Sequence, residues 1–380
     1  MSQKRSIFEE VGSDVKAAPA LKGGMINAKS RGARRGIRAW LAVLFVLVLT
    51  MIAVGGATRL TDSGLSITEW KPLSGAVPPM TPEDWAAEFQ NYQQIPQYEL
   101  LNANMTLQEF KGIYWWEWGH RQLGRVIGLV WALGFFGFWI AGRFPTGWVP
   151  RLLGLGVLGG LQGAIGWWMV SSGLTGEMVA VASYRLAVHL GLAFVILGLI
   201  AWYAMQLSRS EAALLQARRL AEPKLFGMAT GMLHLAFVQI LLGALTAGID
   251  AGRGYTDWPL MGGYILPPDP FSEVPLWKNF FENAALVQFN HRIVGYLLFA
   301  FGVVTVLKAR RSAHPNTRQA FLLMGAMLLL QVVLGVVTLL HGAPVHLGLA
   351  HQFGAVLLWV MILRARHHAR YPIVQSVRGA

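Results

Sequence analysis

Two short stretches carry ionisable side chains into runs that are otherwise apolar. One is WWEWGHRQLGRVIG at 115–128, with Glu117, His120, Arg121 and Arg125; the other is QFNHRIVG at 288–295, with Gln288, His291 and Arg292. His189 and His351 lie in further apolar runs. A neutral imidazole ligates transition metals, a guanidinium takes a carboxylate in a two-pronged hydrogen bond, and a carboxylate can accept a proton in a reaction. Such groups are costly in hydrocarbon, so their presence there points to function by default. The chain has no cysteine, which excludes disulfides, iron–sulfur clusters, thiolate-ligated haem and covalent haem attachment. Any metal must be held by His, Met, carboxylate or Tyr.

The elements that position these groups must be membrane-spanning helices. The 380-residue chain is 54% hydrophobic and 13% charged, far from the roughly 45–50% apolar and about 25% charged of a soluble domain. Eight apolar runs mark spans near 40–58, 119–140, 152–171, 187–205, 225–247, 293–307, 321–340 and 347–363. None has the alternation of a barrel strand, and a lipid-facing backbone must pair within its own helix. Lys and Arg crowd the N-terminal tail, the loops after the second, fourth and sixth spans, and the C-terminal tail, whereas 59–115 and 248–288 hold most of the acidic residues. That bias places both termini in the cytoplasm and the acidic segments outside. The net charge of +13 then reads as topology and contact with anionic lipid; no basic patch interleaved with aromatics speaks for nucleic acid. Residues 1–36 read as a disordered basic tail, and His314, His367 and His368 as solvated cytoplasmic side chains.

The chain is written twice. Span one leaves the membrane through Asp62-x-Gly64-x5-Trp70 and span five through Asp250-x-Gly252-x5-Trp258, and each segment runs on to Pro-Pro. Spans two and six share His-Arg at His120 and His291; spans three and seven share Leu-Gln-x3-Gly from Leu161 and Leu330; spans four and eight share HLGLA at His189 and His346, with His351 following. Four spans per copy means that both copies enter from the same side, so the expected architecture is an all-α integral membrane protein of eight helices, arranged as two parallel-repeat four-helix bundles. The divisions are 37–208 and 225–365 for the two halves, 209–224 for a cytoplasmic linker and 366–380 for a cytoplasmic tail.

His120, His189, His291 and His351 fall in even-numbered spans within the first one or two turns, on the order of 10 Å below the outer edge at 1.5 Å per residue. Two belong to each half, on helices that a bundle can set face to face. This suits axial ligation of haem iron by paired imidazoles, with Arg121 and Arg292 placed to pair with propionates. Zinc is a poorer fit, because a structural site gathers four ligands in one cluster. The plainer alternative is that each His bonds a neighbouring helix and each Arg reaches the headgroups. The halves differ at one point: Glu117 stands three residues before His120, and Gln288 three before His291. Only the N-terminal half can hold negative charge or accept a proton there, unless Glu117 serves simply to pair with Arg121 one turn on.

Eight spans in two halves, Glu-x-x-His-Arg at 117–121 and single histidines at His189, His291 and His351 resemble the heme A synthase family over about 40–363. The absence of cysteine in the first outer segment is similar to the branch nearer the mitochondrial proteins. The resemblance implies an oxidoreductase of a bacterial inner membrane that oxidises the 8-methyl group of haem O to formyl, giving haem A. It implies haem O as substrate at His120 and His189, haem B as cofactor at His291 and His351, and Glu117 as the catalytic group. Its implied partners are the farnesyltransferase that makes haem O and the assembly proteins of cytochrome oxidase; a homo-oligomer is left open. A dihaem quinol oxidoreductase would need the same four imidazoles, and a haem transporter would be favoured by absence of bound haem; both stay open at this point.

Overall fold

The computed structural model of the chain describes residues 25–373. Eight helices are long and apolar enough to cross a membrane: α1 (Met25–Leu60), α2 (Leu107–Ile140), α3 (Val149–Val170), α4 (Ser183–Gln206), α5 (Pro223–Gly248), α6 (Ala284–Ala309), α7 (Pro315–Leu340) and α8 (Val345–Arg370). Among the described residues there is no strand, only an isolated bridge between Met261 and Tyr264. The all-helical membrane architecture read from the sequence is the observed one.

In the first half α1 packs on α2 and α4, and α3 packs on α2 and α4; in the second, α5 packs on α6 and α8, and α7 on α6 and α8. Each half is thus a closed ring of four helices, consistent with a repeated bundle. The halves meet through α4 against α5 and α8, and through α1 against α8. Close approach at this seam requires glycine: a Cβ on Gly248 of α5 would lie 2.8 Å from Ser183 of α4. Polar bridges cross it too. Gln352 of α8 donates to the Ile52 carbonyl of α1 at 2.7 Å, and Arg59 reaches Asp62 at 2.9 Å and Asp250 at 3.0 Å. Asp62 and Asp250, equivalent in the two copies, both adopt left-handed backbone, with φ of 51° and 53°. One guanidinium therefore holds together the matching turns of both halves.

Several boundaries depart from expectation. The helix of α2 starts at Leu107 rather than near 119, under a capping box in which the Thr106 hydroxyl accepts from the Glu109 amide and the Glu109 carboxylate accepts from the Thr106 amide. Its first three turns are too polar for a hydropathy window, but they pack as a helix against the segment between α1 and α2, where Trp85 meets Tyr114 edge-on at 5.0 Å. His120 therefore sits well inside its helix, not in the first two turns. Likewise α6 begins at Ala284, capped by Asn283, and α8 continues to Arg370. Residues 25–36, expected within a disordered tail, are helical; 1–24 lie outside the described residues. The linker at 209–224 contains a short helix, Glu211–Arg218. His367 is buried rather than solvated, because the extended α8 carries it edge-on to Trp202 at 5.5 Å and against Tyr371 at 5.1 Å.

Candidate functional site

Each of the four candidate site histidines, His120, His189, His291 and His351, stands on an even-numbered helix, and its ring lies against a glycine of the helix before it. A Cβ on Gly55 of α1 would come within 3.2 Å of the His120 ring. The same construction on Gly166 of α3 meets His189 at 2.9 Å, on Gly243 of α5 meets His291 at 3.1 Å, and on Gly335 of α7 meets His351 at 2.9 Å. A side chain at any of these positions would push the imidazole away, so the glycines form cradles that fix where the rings lie. The pattern also corrects the alignment of the copies. His351, not His346, occupies the place of His189, because the turn between α7 and α8 is short and shifts the HLGLA register.

The rings pair as the sequence suggested in the second half. His291 and His351 have centroids 6.4 Å apart and planes at 82°. Two imidazoles each about 2 Å from one metal ion would place their centres about 6 Å apart, so this pair is spaced for a shared metal. In the first half the rings of His120 and His189 lie against Gly55 of α1 and Gly166 of α3. Among the described residues no group of three or more His, Cys, Asp or Glu side chains gathers to hold a metal. The His291–His351 pair suits two axial imidazoles on one haem iron, whereas a structural zinc site gathers four ligands. The donor set and the glycine cradles fit haem.

Three of the four histidines share a further contact that the sequence reading gave no role. Gln162 of α3 donates to the His189 carbonyl at 3.0 Å, Gln239 of α5 to that of His291 at 2.9 Å, and Gln331 of α7 to that of His351 at 2.9 Å. The same amide nitrogen lies 3.2 Å, 3.1 Å and 3.2 Å from Nδ1 of the respective ring. Each glutamine precedes its cradle glycine by four residues, which is one helical turn.

Next to this frame the halves diverge. The carboxylate of Glu117, only 2% exposed, accepts from the Ser66 hydroxyl and the Ile67 amide at 2.8 Å each, and from Arg121 at 2.6 Å and 3.1 Å. At the equivalent register Gln288 instead donates Nε2 to the Tyr255 carbonyl at 3.0 Å and accepts from Arg292 at 3.3 Å. Ser66, four residues after Asp62, corresponds to Gly254, four after Asp250. A carboxylate with a hydroxyl donor in one copy thus faces an amide with no hydroxyl in the other. Ser66 escaped the sequence reading because it lies 51 residues from Glu117; comparing it with Gly254 could have exposed it.

Both arginines hold the connecting segments over the sites, Arg121 the one between α1 and α2 and Arg292 the one between α5 and α6. Arg121 donates to the carbonyls of Ile67 at 2.7 Å and Glu69 at 2.9 Å; Arg292 donates to those of Tyr255 at 3.0 Å, Asp257 at 2.9 Å and Leu260 at 2.8 Å. The two-pronged fork expected for a propionate is therefore largely committed. Arg292 keeps one buried donor without a partner, its Nε, and Arg121 has one Nη1 hydrogen beyond its bond to Glu69. Trp167 roofs the first site, lying 5.8 Å from the Arg121 guanidinium and stacked on Trp70 at 5.7 Å. In the second, the Asp257 carboxylate accepts from the amides of Gly262 at 2.9 Å and Gly263 at 3.0 Å, and these bonds hold its carboxyl below the usual range. Gly262 and Gly263 have φ of 62° and 82°, left-handed values that glycine adopts without strain, which lets the loop turn back under Arg292.

Comparison with known proteins identifies the family. The model of the COX15-CtaA family, described as cytochrome oxidase assembly proteins, matches residues 38–363. The chain is 66% identical to a heme A synthase of Ruegeria sp. (strain TM1040) over 377 residues, covering 99% of each chain. It is 64% identical to that of Paracoccus denitrificans (strain Pd 1222) over 376 residues, again 99% of each, and 64% identical to that of Ruegeria pomeroyi over 381 residues, the full length of both. Eight spanning helices, paired histidines in glycine cradles and full-length similarity at this level lead to one conclusion: the chain belongs to the heme A synthase family.

Proposed function

We propose that this chain is a heme A synthase that oxidises the 8-methyl group of haem O to formyl through an alcohol. The observation that carries the reading is the asymmetry at the matched histidines: two imidazole pairs, of which only the first has a buried carboxylate beside it. On this reading His120 and His189, in the half 37–208, ligate substrate haem O. His291 and His351, in the half 225–365, hold haem B, which when bound supplies one-electron redox chemistry next to the first half. Glu117 is the catalytic group, accepting a proton beside that methyl, and its four hydrogen bonds fix the direction from which it does so. Arg121 and Arg292 direct their remaining donors to propionates while closing the outer segments over the pockets. The family resemblance and the basic cytoplasmic loops support a bacterial inner-membrane location with both termini inside, and association with haem O synthase and cytochrome oxidase assembly. High identity to heme A synthases along the whole chain favours this reading over a quinol oxidoreductase or a haem transporter.

The test is the pigment itself. Protein purified from cells that make haem O should release, on acidified-acetone extraction and chromatography, haem B together with haem O, its hydroxymethyl derivative or haem A. Haem B alone, at two per chain, would favour the quinol oxidoreductase instead.

Ser66 is expected to matter as a positioning residue. Replacing it with Ala removes one hydrogen bond to a charged group, about 1.5–3 kcal/mol, while leaving the Ile67 amide and Arg121 in place. Formation of oxidised haem in Ser66→Ala membranes should drop about tenfold or more with bound haem unchanged, and Ser66→Thr should restore most of it. Equal conversion by Ser66→Ala and the unaltered protein would show the hydroxyl to be idle.

A further inference from the structure

The Gln-x3-Gly spacing occurs on three of the four odd-numbered helices, at Gln162 and Gly166, Gln239 and Gly243, and Gln331 and Gly335. On α1 the position four before the cradle Gly55 is Met51. The two side chains occupy one place in the fold. Met51 Cε lies 3.5 Å from the Cβ position of Gly124, four residues after His120, and Gln239 Nε2 lies 3.3 Å from that of Gly295, four after His291. A thioether has no hydrogen to donate, so nothing on α1 does for His120 what the amides do for the other three, namely bond the histidine's carbonyl and lie beside its ring nitrogens. Each of the three amides also keeps a buried oxygen without a partner. A buried acceptor left this way is costly, and its repetition at three sites marks the brace as a feature held against that cost.

Resting on the reading that the four imidazoles ligate haem, we propose that His120 is the exchangeable ligand, the one that lets go of iron when substrate and product pass through the first site. The other three are clamped from the neighbouring helix. A cofactor site has no need to open, and both of its histidines are braced; a substrate site must open at every turnover, and one of its two is not. His189, with Gln162 against it, is the ligand that stays.

Carbon monoxide, which binds ferrous haem where an axial ligand has left, reads this without recourse to activity. In the dithionite-reduced, detergent-purified holoprotein, the haem of the first site should take up the gas faster than that of the second. Met51→Gln should slow uptake at the first site about fivefold, the change that one neutral hydrogen bond makes. Gln239→Met and Gln331→Met should each speed uptake at the second haem by about the same factor, and they keep the test alive should Met51→Gln fail to accumulate. His120→Ala should retain the substrate haem on His189 and take up the gas with no dependence on position 51. Uptake in Met51→Gln as fast as in the unaltered protein, with His120→Ala still altering the optical spectrum, overturns this proposal and leaves haem ligation intact. Spectra unchanged in both His120→Ala and His291→Ala overturn the ligation reading, and this proposal with it.

Discussion

Glu117→Gln is expected to retain bound haem at both sites and to form neither the alcohol nor the formyl product, a loss of roughly 10²-fold or more if the carboxylate acts as a general base. The second half shows why the variant should fold. Gln288 sits at the equivalent position, 2% exposed, and is accommodated by the Tyr255 carbonyl and Arg292. The first half is wired for the opposite polarity. The Ile67 amide and the Ser66 hydroxyl both point donors at Glu117, so an amide there must turn its oxygen toward them and its NH2 toward Arg121, itself a donor. The expected defect is therefore chemical and local, with one donor-to-donor clash and no proton acceptor. Chromatography of extracted haems from membranes expressing the variant checks it. Conversion at the unaltered rate would reduce Glu117 to an ion-pair partner of Arg121, the plainer role its spacing also allows.

How much of this was legible in the sequence depended on which period carried the signal. The eight spans followed from apolar length alone, because hydrocarbon demands it. Where a helix left the hydrocarbon, hydropathy failed: residues 107–118 of α2 contain Glu109, Lys111 and Glu117 among aromatics, and only the capping box at Thr106 and Glu109 marks the true start. The four site histidines could be read because each stands near the head of an even-numbered apolar run, a coincidence of spacing visible in one dimension, although α2 itself begins well before its run. The cradle glycines could not, because a glycine in an apolar helix looks like any packing residue until a ring is seen to lie on it. Gln162 and Gln331 were visible in the repeated Leu-Gln-x3-Gly but carried no meaning without the carbonyl they reach. Ser66 needed a contact spanning 51 residues. The arginines were legible as ionisable groups at the interface; that loop carbonyls would take most of their donors was not, since those acceptors are backbone and have no sequence signature. The buried His367 shows the reverse error, in which a basic stretch read as solvated because the helix was taken to end too early.

His351→Ala is expected to abolish conversion and to turn the spectrum of the second haem from low-spin to high-spin. The two rings of this pair face one another from α6 and α8 at 6.4 Å, so removing one leaves the iron a single protein ligand and room for water in its place. A loss of conversion alone could mean only that the bundle is disturbed. The glycine cradle separates these cases. Gly335→Val keeps both histidines but places a Cβ 2.9 Å from the His351 ring, closer than a carbon contact tolerates, with further methyls beyond it. Because α7 and α8 are the most closely packed neighbours in the second half, the strain is relieved most cheaply by moving the ring. The variant should reproduce the high-spin spectrum with its ligand still present. Gly159→Val, on α3 where a Cβ would meet nothing within 4 Å, should leave spectrum and conversion as they were. A low-spin second haem in Gly335→Val would mean that the ring position is not set by the cradle, and a low-spin second haem in His351→Ala would mean that the imidazole is not its ligand.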